Sequence, residues 1–295
     1  PDFPLLHADS ARNRLVGIGF ISLTYVFFTL LDGSAKWLVR SLPVIEIVWI
    51  RFVSHTVLSA GLLLPIHGKA LLKSRRIWLQ VVRGVLMVSM TAINFTALQY
   101  LQLTVTSSIF FSVPIIIALL GVPLLGERID ARRWAAIVVG FCGVLVVVRP
   151  FGASFHPAMI LSMINAVIYA LFNMMTRRLA AHDRPETTQF LSALVPAIAV
   201  APFALAVWEP PAGALQWTLL LMLGVYGGLG HYFLALAHRY ASASTLAPFM
   251  YPQVLYMALF GYLVFGDVPG WPVAAGAAIV ISSGLYLLYR ERARR

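Results

Sequence analysis

The residues that could bind a small polar molecule are tyrosines, amides and one histidine inside long apolar runs. They are Tyr25, Asn94, Tyr169, Asn173, His231, Tyr232 and Tyr251. Such groups usually turn toward the protein interior, because lipid cannot hydrogen-bond them. They suit an amphiphilic ligand, with aromatic rings beside its apolar part and hydrogen bonds to its polar head. Bonding between helices explains each of them equally well, and for the titratable His231 a structural role is the better explanation.

Two arginines stand within apolar runs. Arg51 lies about eight residues from the start of the second run, where it could hold a substrate carboxylate or pair with an acidic residue; the ion pair is favoured. Arg83 lies about six residues into the third run. A long basic side chain at that depth is expected to extend to the nearby surface.

Prolines near the middle of two runs predict interrupted helices. Pro114 has this position in the fourth run and Pro252 in the ninth, with Pro248 close by. Proline removes a backbone donor, and interrupted helices at the membrane midplane form the binding sites of many transporters. These prolines are therefore candidate gating positions, and a simple packing kink is an equally good explanation.

The sequence contains no pattern typical of catalysis or metal binding. The seven histidines are scattered, the 11 acidic residues do not cluster, and Cys142, expected to be a small buried residue, is the single cysteine. We find no Gly-x-Ser-x-Gly motif and no phosphate-binding loop. We therefore predict no catalytic residues, no metal and no cofactor. An intramembrane enzyme remains the main alternative from another class, and a channel is the second.

The composition requires lipid as solvent. Of the 295 residues, 60% are hydrophobic and 11% are charged, against about 25% charged in soluble domains. The net charge of +11 comes from short basic clusters between apolar runs, so we predict no nucleic-acid partner.

Ten apolar runs are long enough to be membrane helices, since about 20 residues cross a bilayer. We read the first as a membrane span and not as a signal peptide. The predicted spans are roughly 15–38, 43–66, 77–99, 103–125, 132–149, 156–179, 187–208, 215–238, 243–265 and 270–289.

The basic residues predict the orientation. Seventeen of the 22 Lys and Arg lie at the two ends of the chain and in every second connection, whereas the opposite connections hold Lys36, Arg40 and Arg149. Cytoplasmic loops carry the excess of positive charge. Both termini are therefore predicted to be cytoplasmic.

The two halves of the chain resemble each other at an offset of about 140 residues. Gly126-Glu127 corresponds to Gly266-Asp267, and Tyr25 corresponds to Tyr169. Because each copy contains five spans, the second must enter the membrane from the opposite side. We predict two inverted repeats, at 15–149 and 157–290, around a central midplane cavity. That architecture favours alternating access, although a channel or scaffold could share it.

Several short motifs carry a family resemblance. They are Arg83-Gly84, Ala97-Leu98-Gln99-Tyr100-Leu101, Thr106-Ser107-Ser108, Pro114 and Gly126-Glu127-Arg128. With these motifs the chain resembles the EamA-type branch of the drug/metabolite transporter superfamily, although Asp267 stands where that family usually has Glu. The resemblance implies ten helices in a bacterial inner membrane and a monomeric secondary transporter of small metabolites. Amino-acid export is its most specific implication, with nucleobases, cofactors and drugs as alternatives.

Overall fold

The structure is a computed structural model that describes residues 10–125, 131–149, 152, 155–179, 182–241 and 246–292. Within these ranges every regular element is helical. The helices are α1 (Ala11–Leu38), α2 (Val44–His67), α3 (Ile77–Leu98), α4 (Leu103–Phe110), α5 (Val113–Leu125), α6 (Ala131–Val148), α7 (Ala158–Leu179), α8 (Pro185–Ala206), α9 (Ala214–Tyr240), α10 (Gln253–Phe260) and α11 (Trp271–Arg292). A 3-10 turn at Ala247–Met250 precedes α10, and a π-helical turn at Gly261–Phe265 follows it.

Six helical segments are long and apolar enough to cross a membrane. They are Ala11–Leu38, Val44–Leu72, Ile77–Leu98, Ala158–Thr176, Pro185–Ala206 and Ala214–Tyr240. Four shorter apolar segments lie at Leu103–Ile117, Trp134–Val148, Gln253–Phe265 and Trp271–Tyr286. The prediction of an all-helical membrane protein is confirmed. Outside the ninth run, the helical segments begin and end within a few residues of the predicted bounds; in the ninth, predicted at 243–265, α10 begins only at Gln253, after the 3-10 turn. The count of ten crossings and the placement of the termini stay predictions.

The prediction that Cys142 is buried was wrong. Cys142 lies on an exposed side of α6, together with Val138 and Phe141, which are 57% and 53% exposed. In a bilayer such a side faces lipid, which is as apolar as a protein core. Apolar character in a membrane helix therefore does not indicate which residues are buried.

The chain forms two compact units, and each draws on both halves of the sequence. Unit 1 contains Pro1–Thr29, Leu101–Ala166 and Leu229–Arg295, and unit 2 contains Leu30–Tyr100 and Val167–Gly228. Helices α1, α7 and α9 each contribute one end to unit 1 and the other end to unit 2. The predicted division into repeats at 15–149 and 157–290 describes sequence similarity, and it stays a prediction.

In unit 1, small residues allow α6 and α11 to pack closely. A methyl group added at Gly276 would lie 2.7 Å from the carbonyl oxygen of Gly143 and 3.0 Å from the backbone nitrogen of Val147. Ser283 Oγ on α11 donates a hydrogen bond of 2.6 Å to the carbonyl oxygen of Ala136. Close backbone approach and polar bonds hold helices together where burial from water supplies no driving force.

In unit 2, α8 packs against both α2 and α3. A methyl group at Gly84 on α3 would lie 2.9 Å from the side chain of Val195 on α8. Trp49 Nε1 on α2 donates a hydrogen bond of 3.0 Å to the carbonyl oxygen of Ala197. These contacts fix the three helices that carry most of the buried charge described below.

A carboxylate joins two connections of unit 2. Asp183, between α7 and α8, accepts hydrogen bonds from Ser74 Oγ, from the backbone N–H of Arg75 at 2.7 Å and from Gln80 Nε2 at 2.8 Å. Gln80 also donates to Thr188 Oγ1 at 3.0 Å. Partial burial raises the pKa of the Asp183 carboxyl, but these three donors and nearby His182 outweigh it, so the pKa lies below its usual value.

We expect Asp183→Asn to destabilise the protein in a pH-dependent manner. At neutral pH the loss should be about 1 kcal/mol, because charge-assisted bonds at a part-exposed site are replaced by weaker ones. A carboxylate whose pKa is lowered by folding stabilises the protein above its unfolded pKa, 3.8, and loses that effect as the pH falls through its native pKa. The melting temperatures of variant and wild type should therefore converge in acid. A constant difference at every pH, or none at neutral pH, would contradict this role; Ser74→Ala, which removes one donor, should have a smaller effect.

Candidate substrate-binding site

Unit 2 holds a buried guanidinium that is attracted to a carboxylate without being bonded to it. Arg51 on α2 is 3% exposed, and its charge and that of Asp32 on α1 act on each other. Among the described residues, Arg51 Nε and Nη1 have no hydrogen-bond partner. Asn94 Nδ2 on α3 donates a bond of 3.0 Å to Asp32 Oδ1. Arg51 thus retains free buried donors, and Asn94 fixes the position of the carboxylate.

Three glycines on α9 bring its backbone against this part of α2. A methyl group at Gly224 would overlap Ser54 Oγ, and one at Gly227 would lie 3.3 Å from Arg51 Nη2. At Gly228 it would lie 3.1 Å from the ring of His55. The glycines therefore let the α9 backbone cover one side of the guanidinium.

His55 extends this group toward α8. Its ring is 1% exposed, and its Nε2 hydrogen-bonds with Gln189 Nε2 at 3.3 Å. Because Arg51 and His55 lie four residues apart on α2, they share one side of that helix. The group of Asp32, Arg51, His55, Asn94 and Gln189, which we call the Arg51 cluster, thus draws on four helices.

A second buried guanidinium belongs to Arg83, which is 7% exposed. Its Nε donates a bond of 2.8 Å to Thr176 Oγ1 on α7, and its Nη1 donates to Ser192 Oγ on α8. Its guanidinium carbon lies 4.3 Å from the centre of the Phe172 ring, a cation–π distance. The expectation that Arg83 extends to the surface was wrong, because α7 and α8 supply acceptors inside the unit.

Two predicted ligand contacts, Tyr169 and Asn173, lie on α7 beside Arg83. The hydroxyl of Tyr169 and the charge of Arg83 act on each other. Asn173 Nδ2 donates to the backbone carbonyl of Tyr169 at 2.9 Å, so one donor of this amide is engaged within its own helix. The ring of Tyr169 stacks with that of Phe172 at 6.0 Å between centroids.

The structure places four other predicted contacts in unit 1. The ring centroid of His231 lies 5.1 Å from that of Phe28, and Tyr25 meets the same ring at 6.1 Å. Tyr232 is 50% exposed and packs on Phe233, 5.8 Å between centroids. The residues predicted from the sequence to contact the substrate are thus divided between unit 1 and unit 2. Their contact with the substrate stays a prediction.

The fourth of these contacts, Tyr251, lies at a helix interruption. It is 5% exposed, its ring lies 5.4 Å from that of Phe111, and among the described residues its hydroxyl has no hydrogen-bond partner. Pro252 follows it directly before α10, and Pro248 lies in the preceding 3-10 turn. Pro114 is the second residue of α5, just after the turn that ends α4. Gating by these prolines stays a prediction.

Sequence reasoning missed several members of the two buried groups. They are Asp32 as the partner of Asn94, and His55, Gln189, Thr176 and Ser192. Arg83 carried a signal, since an arginine six residues inside an apolar run is costly unless it is satisfied. The hydroxyls carried none, because serine and threonine are common in membrane helices and bond to their own backbone.

Long apolar helices with two buried guanidinium groups are typical of an integral membrane protein. The chain belongs to the EamA-like transporter family, whose model matches residues 15–149 and 156–290. The resemblance noted from its motifs is confirmed.

Curated relatives cover nearly the full chain. An S-adenosylmethionine uptake transporter of Rickettsia felis is 30% identical over 288 residues, 96% of each chain. A riboflavin transporter of Rhizobium johnstonii is 27% identical over 290 residues, 97% of this chain and 95% of the relative. The pseudopaline exporter CntI of Pseudomonas aeruginosa is 27% identical over 272 residues, 90% and 93%.

A solved crystal structure has the same fold, with a TM-score of 0.65 at 17% identity, covering 97% of this chain and all of its own. Together with the relatives, the family membership shows that the chain is a transporter of small molecules.

We expect the charges of Asp32 and Arg51 to be energetically coupled. Asp32→Asn leaves a buried cation without its counter-charge, and Arg51→Gln removes the cation, so each should lower the free energy of unfolding by about 2–4 kcal/mol. The double variant should lose at least about 1 kcal/mol less than the sum of the single losses. Thermal unfolding in detergent measures this, with Arg12→Gln, an exposed residue, as the control. Strictly additive losses would contradict the coupling.

Proposed function

We propose that this transporter carries small metabolites whose polar head is an α-amino acid group, that is, an ammonium and a carboxylate on one carbon. Amino acids are the simplest members of this class. The observation that supports the proposal is the Arg51 cluster, in which a cation with unused donors and an anion lie within each other's field. A zwitterionic head is complementary to both.

In this proposal the substrate carboxylate binds Arg51. A guanidinium presents parallel N–H donors that match a carboxylate, and such charge-assisted bonds are about twice as strong as neutral ones. Arg51 Nε and Nη1 are the free donors on this side chain. A bound carboxylate would also neutralise a buried charge that is otherwise costly at membrane depth.

The substrate ammonium binds Asp32 in the same arrangement. The bond from Asn94 to Asp32 Oδ1 holds the carboxylate in one orientation. Because the amide is neutral, it does not cancel the charge of the carboxylate. Binding both ends of the head then adds two direct contacts to the attraction between Asp32 and Arg51. A ligand that lacks either charge would leave one of these groups unsatisfied, which is a strong basis for discrimination.

The relatives are compatible with this substrate class and also supply its sharpest alternative. S-adenosylmethionine, named for the relative from Rickettsia felis, carries an α-amino acid head. Riboflavin, named for the relative from Rhizobium johnstonii, has no carboxylate and would leave Arg51 unsatisfied. Riboflavin is therefore the compound that best opposes the proposal.

The remaining features of the mechanism are part of the same proposal. Ten membrane-spanning helices in two inverted repeats, with both termini in the bacterial cytoplasm, would support alternating access in the inner membrane. The carrier would act as a monomer without a catalytic step. Export is the proposed direction, although the relatives include transporters of both directions.

Transport by proteoliposomes tests the substrate class. We expect saturable, counter-substrate-stimulated flux of S-adenosylmethionine or of at least one amino acid, and no flux of riboflavin. L-methioninamide, which lacks the carboxylate charge, should compete at least about tenfold less well than L-methionine, since about 1.5–3 kcal/mol of charge-assisted binding is lost. Arg51→Gln should make that difference smaller, and Arg12→Gln should retain it in full.

Three outcomes would contradict the proposal. Flux of riboflavin without flux of any α-amino acid compound would assign another substrate class. Flux that never saturates would indicate a channel, and release of a chemically altered product would indicate an enzyme. Loading the label inside the vesicles and then outside them compares the two directions and tests export.

A further inference from the structure

Arg83 is a buried cation whose partners in the described part of the chain are all uncharged. Among the described residues it bonds to the hydroxyls of Thr176 and Ser192 and lies over the ring of Phe172. No carboxylate in the part of the chain that the structure describes bonds to it or is among the charges that act on it. The site therefore retains a net positive charge, unlike the Arg51 cluster.

The hydroxyls that accept from Arg83 are held in place by their own helices. Thr176 Oγ1 donates to the carbonyl of Phe172 at 2.7 Å, and Ser192 Oγ donates to the carbonyl of Thr188. Each hydroxyl hydrogen is thus engaged, so the oxygen lone pairs point to the guanidinium. A guanidinium has five N–H donors, and these two bonds use two of them. The other N–H groups of the guanidinium can donate to an anion.

Hydroxyls and an aromatic ring compensate a buried charge less completely than a carboxylate does. A charge of this kind at membrane depth is expensive and usually has a functional role. If Arg83 served only to join α3 to α7 and α8, a neutral amide could donate the same two bonds without that cost. The arrangement favours a transient anionic partner.

Arg83 and Arg51 lie at different depths. The connection at residues 68–76 joins the end of α2 to the start of α3. At 1.5 Å per residue, Arg83 lies about 9 Å and Arg51 about 24 Å along the helices from that connection. The backbone positions of the two arginines thus differ by about 15 Å along the helices, so the two residues lie at different levels within unit 2.

We propose that Arg83, with Tyr169 beside it, is a second binding residue for the substrate carboxylate, used when the carrier is open on the side of the α2–α3 connection. The inference rests on the proposed function, because it assigns the second contact of the same anionic group. In it the carboxylate moves between Arg51 and Arg83 as the access of the site changes. Each guanidinium then sets the affinity on its own side of the membrane.

Transport measured separately from the two sides tests this assignment. Right-side-out and inside-out membrane vesicles would take up labelled S-adenosylmethionine and L-methionine, and KM would be determined in each. Under the predicted orientation the α2–α3 connection is cytoplasmic. Arg83→Gln should raise KM at least about tenfold from that side and less than twofold from the other. Arg83→Lys, which keeps the charge and loses the paired donors, should have a smaller effect with the same sidedness.

Two variants keep the test decisive if Arg83→Gln does not fold. Arg83→Lys keeps a cation at this position, and Arg12→Gln, an exposed control, should leave KM on both sides within about twofold. Arg51→Gln should show the opposite sidedness to Arg83→Lys. Equal changes in KM from the two sides for Arg83→Lys, or a loss of stability with unchanged KM, would overturn the proposal. Arg83 would then only hold α3 against α7 and α8.

The outcomes separate this inference from the function on which it rests. Suppose that the wild type transports these compounds, that Arg51→Gln raises KM, and that the Arg83 variants change KM equally from both sides. This result would overturn the second site alone. Absence of wild-type flux of both S-adenosylmethionine and L-methionine from either side would overturn the second site and count against the substrate class as well.

Discussion

The cost of a charge inside a bilayer governs the interior of this transporter. Two guanidinium groups are buried in one unit, at 3% and 7% exposure for Arg51 and Arg83. An uncompensated ion at that depth costs several kcal/mol even after local relaxation. The structure compensates them differently: Arg51 has the charge of Asp32 and the ring of Phe52, whereas Arg83 has hydroxyls and an aromatic ring without a carboxylate among the described residues. Neither is neutralised by direct contact with a carboxylate among the described residues, and the binding proposals follow from that.

Close helix packing makes these sites rigid. Gly224, Gly227 and Gly228 place the α9 backbone against Ser54, Arg51 and His55, so the guanidinium is covered on that side by backbone. Gly84 lets α3 approach α8, which brings Arg83 to Ser192. Rigid donors lose little entropy when a ligand binds, so preorganisation of this kind increases affinity and discrimination.

The helices could be predicted from the sequence because a bilayer imposes a simple rule of length. Twenty-residue apolar runs gave helix ends within a few residues, and the interruption of the fourth run fell directly before Pro114. Arg51 could also be selected, since a lone charge in an apolar run is conspicuous. The contact partners could not be selected, because they depend on helix packing. Asn94 meets Asp32 from 62 residues away, and Ser192 meets Arg83 from 109.

Equilibrium binding to the purified protein in lipid nanodiscs tests the central claim, that a buried cation and anion recognise an α-amino acid head. Titration calorimetry would compare S-adenosylmethionine with its decarboxylated form, and L-methionine with L-methioninamide. We predict that, in whichever pair binds, loss of the carboxylate weakens binding to the wild type at least about tenfold, and that Arg51→Gln makes this difference smaller. Equal affinity of the wild type for both members of the pair that binds, or binding of riboflavin in preference to all four compounds, would contradict it.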